Sequence, residues 1–194
     1  MRFTRPGIER VVRYAFELAR SRPERHLTLV DKANAIPVQE LWRRIFDEIG
    51  AEFADVHRDA MYVDAACMWL VLKPEQFDTI VTTNLFGDII TDLGAAICGG
   101  LGVAASGNIN PGKVSMFEPI HGSAPKYAGK GVASPVGAIG AVALMLEYLG
   151  ERDASRAIED AVRAGLKGGR IKGVEAGNQR TEEVASIVAM AVAG

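Results

Sequence analysis

The chain has 194 residues, of which 48% are hydrophobic and 24% charged, and its 22 basic and 24 acidic side chains leave a formal net charge of −2. This is the composition of an ordinary globular protein, long enough for one large domain or two small ones. It excludes the cationic stripe of a nucleic-acid binder, and the longest apolar run, Val136 to Leu146, is too short to cross a membrane.

The N-terminal "MRFTRPGIER" lacks the apolar core of a signal peptide. From Thr4 onward, "TRPGIERVVRYAFELA" predicts a helix capped by Thr4, with Ile8, Val11, Val12, Ala15, Leu18 and Ala19 as its apolar stripe. "HLTLVDK" (26–32) predicts a short strand. "PVQELWRRIFDEIGAEF" predicts a second amphipathic helix, with proline at its start and Val38, Leu41, Trp42, Ile45, Phe46 and Ile49 on one side. A strand near 57–63, a short helix through "DAACMWLVL", a strand "FDTIVTT" (77–83) and a helix over "NLFGDIITDLGAAICGGLG" follow. Cys67 and Cys98 both sit in apolar segments, where buried free thiols suited to a reducing cytoplasm are expected. Strands alternating with helices predict an α/β fold with a partly parallel sheet flanked by helices.

After residue 100 the chain turns rich in glycine, proline and serine, with a single short strand expected around 114–118. So long a loop in a compact domain is read as a binding loop. Three helical patterns, 136–149, 151–167 and roughly 181–192, finish the chain.

Asp88 and Asp92 stand one helical turn apart in a segment that looks built for burial. Two neighbouring carboxylates repel each other in an apolar setting unless something positive lies between them. At i and i+4 their Cβ atoms are about 6 Å apart, close enough to share one cation. Asp64 adds a third acid where a predicted strand ends, and such strand ends are where active residues of α/β proteins gather. Three carboxylates without a thiolate or histidine favour a hard ion, Mg²⁺ or Mn²⁺, over zinc. Lys32, also at a strand end, is a candidate base.

"VDKAN", "YVDAACM", "NLFGDIITD" and "FEPIHGSAP", in this order, resemble the C-terminal half of the decarboxylating β-hydroxyacid dehydrogenases, which act on 3-isopropylmalate, isocitrate, homoisocitrate or tartrate. The likeness covers essentially the whole chain and is greatest to the isopropylmalate branch of leucine biosynthesis, with the isocitrate branch second. It implies metal-dependent oxidative decarboxylation of a small 2-hydroxyacid by a cytoplasmic homodimer with shared active sites. Asp88 and Asp92 resemble the family's metal ligands, joined by Asp64 from a partner subunit. Lys32 matches a partner-subunit lysine that assists proton transfer at the substrate hydroxyl, and Asn34 matches an asparagine near nicotinamide and substrate. "EPIHGSAPKYAGKGVASP" resembles the cofactor loop, with Glu118 near the nicotinamide ribose and His121, Gly122, Ser123 and Ala124 around the adenosine. No G-x-G-x-x-G occurs in the chain.

Two departures stand in that loop. Ser134 occupies the place of an asparagine that contacts adenine, and Lys126-Tyr127 replaces the aspartate-aliphatic pair typical of NAD-dependent members. Lys126 and Tyr127 therefore point to NADP rather than NAD. The resemblance also implies that residues 1–98 form the dimer-forming domain with the metal and catalytic residues, and 99–194 the C-terminal part of the cofactor-binding domain. The family's N-terminal half, with its substrate-binding arginines, would precede residue 1, so a fragment or one piece of a split enzyme is expected. A non-catalytic subunit and an unrelated metal-binding α/β domain are the alternative readings.

Overall fold

The computed structural model describes residues 2–194. Contacts divide the chain into two compact units, residues 1–94 and 95–194. The expected boundary after residue 98 falls just past the last helix that links them.

In the first unit the elements run α1 (Arg5–Ser21), β1 (His26–Asp31), α2 (Glu40–Gly50), β2 (His57–Tyr62), α3 (Val63–Leu72) and β3 (Thr79–Thr82), and α4 (Asn84–Ile97) begins in it and ends just past its boundary. The strands form a wholly parallel sheet in the order β2-β1-β3, with Leu27 opposite Arg58 on one side and Thr79 on the other. Strand alternation assigns the two faces. Leu27 and Leu29 of β1 and Val81 of β3 join the core formed with α1 and α2, which includes Phe16, Ile45 and Phe46. Phe16 stacks on Phe46 at 5.2 Å and on Phe53 at 5.0 Å between ring centroids. The opposite face, Val30 with Ile80 and Met61, packs on Ala66 and Leu70 of α3 and Ile90 of α4. Helices on both faces explain why five of the six β1 residues are fully buried, the polar Thr28 and Asp31 as well as Leu27, Leu29 and Val30.

In the second unit β4 (Ala105–Asn108) and β5 (Met116–Pro119) form an antiparallel hairpin, followed by α5 (Val136–Tyr148), α6 (Arg152–Lys167) and α7 (Thr181–Ala193). Gly137 lets α5 approach the chain leading into β4. A Cβ there would lie 3.2 Å from the Gly102 carbonyl oxygen, which instead accepts the Gly137 N–H at 2.9 Å. Val136, Ala161, Ile171, Val184 and Val188 form the core.

Several expectations are corrected. Thr4 is the N-cap residue of α1, but its side chain makes no capping hydrogen bond. Val11 and Leu18 are exposed, and Phe16, absent from the expected stripe, is fully buried. Val38 is exposed because the expected second helix begins as a 3-10 turn, Pro37–Gln39, with a different angular step. Cys98 is exposed and Cys67 half-buried, both free. Strand β4 was not expected: "ASGN" carries no β-branched or aromatic residue and is a strand only by pairing with β5.

Candidate functional site

Parallel strands present their carboxyl ends to one edge of the sheet, and the residues leaving those ends define the candidate site of the first unit. Lys32 follows β1 directly. Asp64 lies in the first turn of α3, just after β2, and Asp88 one turn into α4, after β3. The Lys32 ammonium donates to Asp64 Oδ1 at 2.5 Å. That bond, helped by backbone N–H groups at the start of α3, holds the Asp64 carboxyl below the usual carboxylate range.

The backbone of Lys32 is fixed at both polar atoms. Its N–H donates to Gln39 Oε1 at 2.6 Å, and its carbonyl accepts the N–H groups of Ala35 at 3.0 Å and Ile36 at 2.8 Å. Asp31, completely buried, accepts two bonds from Arg43, Nε at 2.6 Å and Nη2 at 3.0 Å, and a third from the Ala33 N–H at 3.1 Å. Arg43 in turn lies 4.7 Å over the Tyr62 ring, and the Lys32 ammonium 5.7 Å from the same ring. Gln39, Asp31, Arg43 and Tyr62 were not singled out from the sequence. Asp31 and Arg43 are readable in retrospect as an acid in an apolar strand with a basic residue in the next helix. Asn34 is exposed in the same turn as Lys32.

Asp88 and Asp92 correct the picture of a buried acidic pair. Phe86 and Ile90 turn inward, whereas Asp88 and Asp92 are exposed, beside exposed Leu85 and Ile89. Among the described residues neither takes part in an ion pair, and no three His, Cys, Asp or Glu side chains gather into a metal site. Asp64 is thus paired with Lys32 and not gathered with Asp88 and Asp92 in one chain. Two unpaired carboxylates one turn apart are hard oxygen donors that fit Mg²⁺ or Mn²⁺.

In the second unit a cleft of about 710 Å³ is lined by His121, Gly122, Ser123, Ala124, Tyr127 and Ser134, with Gly99 to Gly102 and Val174 to Ala176 on the other side. Ala124 holds a left-handed backbone, φ 42° and ψ 63°, rare for a residue with a Cβ and typical of binding loops. A Cβ on Gly102 would lie 3.0 Å from the Val174 carbonyl oxygen, a contact tight enough to press on that wall. His121 Nδ1 lies 3.0 Å from the Gly122 carbonyl oxygen, and Ser134 Oγ accepts the Val136 N–H at 3.3 Å. Lys126 and Glu118 are exposed and stand outside the cleft lining, although the Lys126 ammonium lies 4.8 Å over the Tyr127 ring. The volume and the backbone-rich walls fit part of a dinucleotide. Gly99, Gly100, Gly102 and Val174 to Ala176 were missed from the sequence, since only folding brings these distant stretches to one cleft.

The family model for isocitrate/isopropylmalate dehydrogenase matches residues 1–188. The chain is 53% identical over 191 residues to the 3-isopropylmalate dehydrogenase of Thermobifida fusca, covering 96% of this chain and 54% of that protein. It is 55% identical over 163 residues to the enzyme of the same name from Streptomyces coelicolor, covering 82% of this chain and 47% of that protein. Among solved structures, isocitrate dehydrogenase from Methylococcus capsulatus superposes with a TM-score of 0.93 at 43% identity, covering all of this chain and 58% of that one. The chain spans about half the length of the curated relatives it matches.

Proposed function

The chain belongs to the isocitrate/isopropylmalate dehydrogenase family, and from that premise we propose that it carries the metal, proton-transfer and cofactor-loop residues of an oxidoreductase that oxidatively decarboxylates 3-isopropylmalate. The observation that carries the proposal is the placement of Lys32, Asp64, Asp88 and Asp92 after the carboxyl ends of three parallel strands, with Lys32 and Asp64 already paired at 2.5 Å. The names of the relatives support the substrate class.

In this reading Asp88 and Asp92, joined by Asp64 of the partner subunit, hold a divalent cation. When bound, the cation supplies Lewis-acid polarisation of the substrate hydroxyl and the nicotinamide dinucleotide supplies the hydride acceptor. Lys32 Nζ moves the proton at that hydroxyl oxygen. Asp64 orients the Lys32 ammonium, so the two contribute together to a second copy's site. Exposed Met68, Val71 and Leu72 of α3 and Leu85 and Ile89 of α4 support a homodimer, because a second copy would cover apolar side chains otherwise left in water. His121 to Ala124, with Ser134, hold the adenosine end of the dinucleotide, Glu118 and Asn34 approach the nicotinamide ribose and ring, and Lys126 and Tyr127 select NADP.

Mn²⁺ titration of the chain, read by electron paramagnetic resonance, tests the cation site. Asp88→Asn and Asp64→Asn should each weaken binding by at least about tenfold, since even outer-shell partners are worth about 10–100-fold in metal affinity. Equal affinity in wild type and both variants would discard the site.

A further inference from the structure

Gln39 is the least explained residue around Lys32. It is completely buried, and its Nε2 has no hydrogen-bond partner among the described residues, an arrangement a native protein seldom keeps without return. The other end of the same amide is bonded: Oε1 accepts the Lys32 N–H at 2.6 Å. Gln39 is itself held, because its N–H donates to the Ile36 carbonyl at 2.9 Å, while the Ile36 N–H returns to the Lys32 carbonyl at 2.8 Å. The side chain therefore spans the inside of the turn from 32 to 39 and closes it on the residue whose ammonium meets Asp64. With N–H and carbonyl both bonded, the backbone dihedrals of Lys32 have little freedom, and so has the direction in which its side chain leaves the sheet.

We propose that Gln39 is a positioning residue that sets the reach of the Lys32 ammonium, acting through the Lys32 backbone and not by touching substrate. This rests on the reading of Lys32 as the proton-transfer group. An apolar side chain of similar size would fill the same space but leave the Lys32 N–H without its acceptor, so the glutamine is there for its bond to Lys32 and not for packing alone. Displacements of about 1 Å at a reacting group can cost about 100-fold in rate, so one buried hydrogen bond has leverage here.

Two variants separate the requirements. Gln39→Met keeps the volume and removes the acceptor; Gln39→Glu, held uncharged by burial without a cationic partner, keeps an acceptor oxygen at the same place. In the 194-residue chain, hydrogen exchange followed by NMR should show the Lys32 amide exchanging about tenfold faster in Gln39→Met, as expected for the loss of one hydrogen bond. The β1 amides of Leu27 to Val30 should remain protected, and Gln39→Glu should stay near wild type. Unchanged protection of Lys32 in Gln39→Met would overturn the proposal. The kinetic arm uses a chimera in which the N-terminal half of the Thermobifida fusca relative precedes this chain. There Gln39→Met should lower kcat about tenfold with KM little changed, Gln39→Glu should restore kcat, and Gln39→Met should cause no further loss in a Lys32→Ala background. A loss equally large in the Lys32→Ala background, or an unmoved kcat, refutes positioning. If Lys32→Ala alone leaves kcat intact, the reading of Lys32 fails and the positioning role falls with it. A failure of the positioning idea alone leaves the Lys32→Ala loss in place.

Discussion

Removing Arg43 should be the most damaging single surface-reachable change near the candidate site. Asp31 has no exposed area, and its two carboxylate oxygens meet Arg43 at 2.6 and 3.0 Å while the Arg43 side chain keeps 30% exposure. The bonds to Asp31 are also the main reason that the Arg43 guanidinium holds its proton beyond its ordinary range. Arg43→Met preserves much of the aliphatic packing but leaves Asp31 with only the Ala33 N–H at 3.1 Å. Stranding one partner of a buried pair costs about 3–5 kcal/mol, whereas replacing both partners is often close to neutral. For a chain of this length, that corresponds to a fall in Tm of about 10 °C. Thermal and urea denaturation at neutral pH of wild type, Arg43→Met, Asp31→Asn and the double variant give the coupling energy directly. A coupling above about 1 kcal/mol is expected, because the double variant no longer buries an unpaired charge. An Arg43→Met loss below about 1 kcal/mol, or a double variant whose cost is the sum of the two singles, would refute the argument that this pair fixes the end of β1.

Cofactor choice is tested in the Thermobifida fusca chimera by the ratio of kcat/KM for NADP over NAD, which should favour NADP and fall by more than about tenfold on Lys126→Asp with Tyr127→Ile, as charge-assisted bonds to a 2′-phosphate are lost. A wild-type preference for NAD, or a ratio unmoved by the double change, contradicts the assignment. Along α1, Arg5, Arg13 and Arg20 pair with Glu48 at 2.6 Å, Glu52 at 2.8 Å and Asp55 at 2.6 Å, and each arginine holds its carboxyl partner below the usual carboxylate range. Because the folded values are the lowered ones, this stabilisation is complete above the unfolded values of about 4 and is lost as pH falls through the folded ones. Tm should be flat between pH 5 and 7 as far as these pairs are concerned. Below about pH 4 it should fall less steeply in Glu48→Gln/Glu52→Gln/Asp55→Asn than in wild type, and identical acid slopes would remove the ladder from the account.

What could be read in advance divides along physical lines. The strands of the parallel sheet and the helices around it were legible because the β-branched and leucine side chains of "HLTLVD" form a short run between two segments of helical period, and helices cover both faces. Strand β4 was not, because "ASGN" owes its conformation to Ser106 and Gly107 pairing with Glu118 and Phe117 and to nothing in its own side chains. The apparent paradox of Asp88 and Asp92 dissolves on helical phase. Asp88 lies two positions after Phe86 and Asp92 two after Ile90, a rotation of about 200° at 3.6 residues per turn, so inward hydrophobes place both acids outward. A high average hydrophobicity concealed that phase because Leu85 and Ile89 share the outer face and remain exposed. Apolar side chains beside unpaired acids on an open helix face are what a surface needs if it is to bind a cation and to meet a second copy of the chain. Lys32 illustrates the limit from the other side. Its residue type and its place after a strand mark it as a candidate, but its geometry depends on Gln39, which reaches it only because the 3-10 turn at Pro37–Gln39 carries the chain back under the end of β1. A glutamine seven positions downstream carries no signal by itself; the bond exists only once Ile36 and Ala35 have turned onto the Lys32 carbonyl. Candidate residues can therefore be nominated from type and spacing, whereas the contacts that fix their backbone emerge only from the folded chain.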